Sequence, residues 1–89
     1  MRAVITVIGK DMVGILAKVS TLCSDNNINI IEVSQSILQD MFAMIMMVDT
    51  AKSTIPFAEL SESMSILGDS LGVKIHVMHE DIFNSMHRI

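Results

Sequence analysis

The stretch Val4-Ile5-Thr6-Val7-Ile8-Gly9-Lys10-Asp11-Met12-Val13-Gly14-Ile15-Leu16-Ala17-Lys18-Val19 changes its period halfway along. Val4 to Ile8 are all β-branched, and with Ala3 they predict a buried strand over 3–8. Gly9 and Gly14 punctuate a loop between them. From Ile15 the apolar residues Ile15, Leu16, Val19, Leu22 and Cys23 recur at helical spacing, with Lys18, Ser20 and Ser24 between them. Asp25-Asn26-Asn27 closes that helix, since Asn tolerates the left-handed geometry common at helix C-termini. A strand, a glycine-bounded loop and a helix therefore open the chain.

The pattern extends outward from there. Residues 28–38 predict a second strand, with Ile31, Val33 and Ile37 on one face and Glu32, Ser34 and Ser36 on the other. Gln39-Asp40 makes a turn into a third strand over 41–48. That strand is apolar on both faces, with Phe42, Met44 and Met46 on one and Ala43, Ile45 and Met47 on the other. Pro56 suits a first helical position, where its missing N–H is no loss. Phe57, Leu60, Met64, Leu67 and Leu71 follow as an amphipathic stripe, Gly68 sits inside it at a cost of about 1 kcal/mol, and Gly72 closes it. Val73 to Met78 alternates as a fourth strand. Ile82, Phe83, Met86 and Ile89 are then spaced like a short helix over 80–89.

The order β-α-β-β-α-β implies an α+β, ferredoxin-like sandwich: a four-stranded antiparallel sheet with two helices on one face. Residues 1–79 make one domain, and 80–89 are its amphipathic C-terminal tail. The second sheet face needs a cover, either the tail or another subunit, because the third strand is apolar on both sides.

Composition narrows the function classes. The 89 residues are 51% hydrophobic and 18% charged, well outside disordered composition. A net charge of −4 opposes a nucleic-acid partner, whose phosphates need a basic footprint. Stacking of RNA bases on this topology needs aromatics on the first and third strands, and only Phe42 is present there. Metal-chaperone chemistry needs a Cys-x-x-Cys pair in the first loop, and Cys23 is the sole cysteine. That lone thiol and the short apolar run 3–8, too short for a signal-peptide core or a span, give the expectation of a cytoplasmic protein without a membrane partner. Nine methionines read as core filler.

Catalytic and metal constellations are also weak. No Ser/His/Asp or Cys/His arrangement appears, so no catalytic residue is expected. His76, His79 and His87, with Glu80 and Asp81, are the candidate ligands for a divalent metal. Their spacing is not that of a known site, and His76 and His79, three apart on a strand, point to opposite faces. No metal and no cofactor are expected.

Asp11-x-x-Gly14-Ile15-Leu16, followed by Asn27-Ile28-Asn29-Ile30, resembles the ACT domain, the amino-acid-sensing module of many biosynthetic enzymes. The resemblance covers residues 1 to about 79. The tail from His79 to Ile89 looks like that of short, stand-alone prokaryotic members, similar to the ACT modules of the glycine-cleavage regulator and formyltetrahydrofolate deformylase. It implies a ligand site built from Asp11, Met12, Val13, Gly14, Ile15 and Asn29. A polar side chain beside a helix N-terminus, where N–H groups point outward, suits the charged ends of an amino acid. Each residue also has a plainer role: Asp11 as a helix cap, Gly14 as a packing glycine, Asn29 as a partner for strand-end backbone. Gly9 stands where serine-sensing members often carry histidine.

The expected function is thus a non-catalytic, regulatory small-ligand-binding module, sensing an amino acid as a homodimer. The alternative is a protein-interaction module that regulates a partner enzyme through its open sheet face and binds no ligand.

Overall fold

A computed structural model describes residues 1–10 and 13–86. Its elements run β1 (Arg2–Gly9), α1 (Ile15–Asp25), β2 (Asn29–Leu38), β3 (Met41–Asp49), α2 (Phe57–Leu71), β4 (Lys74–His79) and α3 (Glu80–Met86). The sheet order is β2-β3-β1-β4 with every pair antiparallel, the ferredoxin-like arrangement.

The expected sandwich core is present. Ala3, Ile5 and Val7 of β1 and Phe42, Met44, Met46 and Val48 of β3 point at the helix layer. They meet Ile15, Val19 and Cys23 from α1 and Leu60 and Met64 from α2. Two methionines thus sit wholly inside the central strand, where their unbranched chains fill the space between two helices. Leu22 is half-buried and Leu16 exposed, so the α1 stripe is narrower than its sequence spacing suggests.

One boundary and two internal features go beyond the sequence reading. Pro56 is the N-cap, not the first helical residue: its ψ of 158° is extended, and its carbonyl accepts the Leu60 N–H at 3.0 Å. Gly68 has a packing reason inside α2, since a Cβ there would lie 2.9 Å from the Val73 carbonyl oxygen. β2 carries an irregularity between Ile30 and Glu32, so Ile31 is an extra residue opposite Val48 and Met47.

The second sheet face is only half covered. α3 packs on β1 and β4, and Val4, on that face between Met47 and Met78, is 0% exposed. Arg2 supports this seat: its Nε lies 3.4 Å from Glu80 Oε2, and its Nη2 donates to Met47 Sδ at 2.7 Å. Ile8, on the same strand and face, is 46% exposed. The tail expected over 80–89 is helical to Met86; His87 and Ile89 lie outside the described residues.

Candidate ligand-binding site

Gly14 ends the first loop and is the N-cap of α1, at φ 76° and ψ −4°. Its carbonyl accepts the Lys18 N–H at 3.0 Å, which closes the first helical turn. A Cβ at Gly14 would meet nothing within 4 Å. The glycine is therefore needed for its left-handed backbone and not for close packing. Gly14→Val is expected to cost about 1–2 kcal/mol of backbone strain, read as a lower denaturant midpoint. An unchanged midpoint would remove the conformational role.

The other predicted loop residues separate. Val13 is 87% exposed, beside the helix start. Ile15 is buried in the core, so its side chain is not available to a ligand. Asp11 and Met12 lie outside the described residues.

Asn29 begins β2 at the opposite end of the sheet. It pairs with Asp49, whereas Gly9, at the loop end, pairs with Phe42. Positions 42 and 49 are seven residues apart on β3, about 23 Å at strand rise. One chain cannot bring the first loop and Asn29 onto one small ligand.

Asn29 instead lines a groove of about 610 Å³ with Ser20, Ser24, Asn27, Asp49 and Lys52 over an Ile28–Ile30 floor. The mouth is held by local bonds: Asn27, left-handed at φ 57°, donates from Nδ2 to the Lys52 carbonyl at 3.0 Å. Asn26 donates from Nδ2 to the Leu22 carbonyl at 2.8 Å, and its own carbonyl accepts the Thr54 N–H at 2.9 Å. Asp49 Oδ1 accepts the Ala51 N–H at 2.9 Å. Hydroxyls, amides, a carboxylate and an ammonium thus converge on one polar concavity. Ser20 and Ser24, four apart on one helix face, were discoverable from sequence. Asp49 and Lys52 were not, because only sheet register brings them to Asn29.

Cys23 serves no site. It is fully buried, and burial pushes its thiol up from 9.0 to about 11. Native protein is expected to resist thiol reagents that label the unfolded chain at once, and rapid native labelling would contradict the burial. Because the folded-state value is raised, the associated stability is present below pH 9 and lost as pH rises towards 11. His76 and His79 fall on opposite sheet faces, opposite Thr6 and Ala3, and no metal-ligating cluster exists among the described residues. Among them no helix is long and apolar enough to cross a membrane.

The ACT domain family model matches residues 2–78, and the chain belongs to that family. A UPF0237 protein of Methanocaldococcus jannaschii is 47% identical over 88 residues, covering 99% of this chain and 98% of the relative. An ACT domain protein from Streptococcus pneumoniae superposes with a TM-score of 0.82 at 36% identity, covering 93% of both chains. A formyltetrahydrofolate deformylase from Pseudomonas syringae shares the fold, with a TM-score of 0.77 at 21% identity over 88% of this chain and 27% of that one.

Proposed function

We propose that this chain is a cytoplasmic, non-catalytic amino-acid sensor that works as a homodimer. Its ligand is held between the first loop of one protomer and the Asn29 groove of the other. The observation that carries this reading is the placement of the two half-sites at opposite ends of one sheet, combined with the outer edge of β2. That edge has no strand partner among the described residues, and it carries exposed Ile31, Val33 and Ile37. Exposed strand edges pair readily. Two β2 edges joined antiparallel about a two-fold axis bring Asn29 of one protomer to the Leu38 end of the other, which is the end of the first loop. The N-terminus of α1 suits a carboxylate, and the polar groove suits an ammonium with its adjoining side chain.

A thermal-shift screen against the amino acids tests the class: a ligand at 100 times its Kd adds about 2.7 kcal/mol. Asp11→Ala and Asn29→Ala should each weaken the binding so found by about 1–3 kcal/mol, the cost of an unpaired polar partner. Mixing the two single-variant chains should recover one wild-type site per mixed dimer. A ligand that binds the double variant as well as wild type places the site elsewhere. Silence across the screen would favour the ligand-free interaction module.

A further inference from the structure

The end of β1 and the turn between α2 and β4 border a second cavity, of about 560 Å³. That lies within the roughly 300–1,000 Å³ usual for small-ligand sites. Its described lining includes Ile8, Lys10, Met41, Asp69 and Lys74. Strand register accounts for the mixture. Lys74 stands directly opposite Ile8, so the two share a sheet face, and Lys10 and Met41 follow the Gly9–Phe42 pair. Ile8 and Met41 are 46% and 36% exposed, apolar groups left open beside two ammonium groups. Neither lysine, nor Asp69, takes part in an ion pair among the described residues. Two ammonium groups against one carboxylate leave this lining with an excess of one positive charge, in a chain whose net charge is −4.

We propose that this cavity binds a small monocarboxylate with an aliphatic body. The carboxylate sits between Lys10 and Lys74, and the aliphatic body lies over Ile8 and Met41. Each part of the lining restricts the class. Two lysines favour an anion, while Asp69 on the rim repels a second negative charge, so a monoanion fits better than a dicarboxylate or a phosphate. The apolar floor rewards a ligand that brings carbon to cover it. An α-amino acid carries its ammonium beside its carboxylate, which two flanking lysines disfavour. The site is separate from the Asn29 groove: Asn29 pairs with Asp49, seven positions along β3 from the Phe42 that pairs with Gly9. It lies within one chain and stands without the amino-acid reading.

The test is a titration of the isotope-labelled full chain with isocaproate, the leucine skeleton without its amino group, followed by the backbone amide signals in NMR. Shifts should gather at Gly9, Lys10 and Lys74. Lys10→Gln and Lys74→Gln should each raise the Kd about 3-fold, the effect of losing an exposed ionic contact, and Asp69→Asn should lower it. All three positions are exposed, so circular dichroism should stay unchanged. Acetate, which has the charge without the body, should bind at least about 10-fold more weakly, and leucine more weakly than isocaproate. Asn29→Ala should leave this titration as it is, so failure here and failure of the amino-acid reading are told apart. Absence of any shift, shifts gathered elsewhere, or a Kd unchanged in both lysine variants overturns the site. Acetate or leucine binding as tightly as isocaproate overturns the class of ligand.

Discussion

Removal of residues 80–89 lowers the unfolding free energy by about 2 kcal/mol and exposes an apolar surface that binds a hydrophobic dye. The magnitude rests on Val4, which is 0% exposed on the face that α3 covers. Uncovering such a side chain costs about 1.5–3 kcal/mol. Met47 and Met78 on either side of it are half-buried and add to the loss, while release of the tail's ordering entropy offsets part of it. The Arg2–Glu80 pair contributes little, because the Arg2 side chain is about half exposed. Denaturant midpoints of the full and shortened chains, with dye fluorescence, measure both effects. Equal midpoints would mean that α3 rests on the sheet without stabilising it.

Gly9→Ala is the second large effect. Gly9 ends β1 in a buried position, and an added Cβ would run into Val73 Cγ1 and come 3.0 Å from Val73 Cβ. Val73 is 5% exposed and β-branched, so it has little freedom to turn aside. Overpacking of this kind costs about 1–3 kcal/mol. Gly9→His should cost more, because a larger side chain has still less room beside Val73. Val73→Ala introduced into Gly9→Ala should recover part of the loss, and the coupling between the two sites is the measure. Additive losses would show that the two residues do not meet.

The fold was legible because period and punctuation agreed along the chain. The β-branched run 4–8 and the stripe from Phe57 to Leu71 each became the expected element. Asn27 took the left-handed conformation expected after α1. What escaped the sequence depended on neighbours from other elements. Gly68 looked like a weak point in α2 until Val73 and Ile75 were seen against it. Pro56 sits one place earlier than expected because its ψ is extended. The groove around Asn29 was half legible: Ser20 and Ser24 follow from helix geometry, whereas Asp49 and Lys52 arrive through strand register. The separation of Gly14 from Asn29 is a matter of topology, since the chain reverses direction between the first loop and β2.

The irregularity in β2 sets a limit on anything that adds itself to that edge. From Glu32 to Leu38 the strand is regular against β3, and at Ile31 the spacing breaks. A bulge twists the local backbone and interrupts even pairing. An incoming strand meets about seven evenly spaced residues, from Glu32 to Leu38, and has to take up a one-residue break, as β3 does, to go on to Asn29.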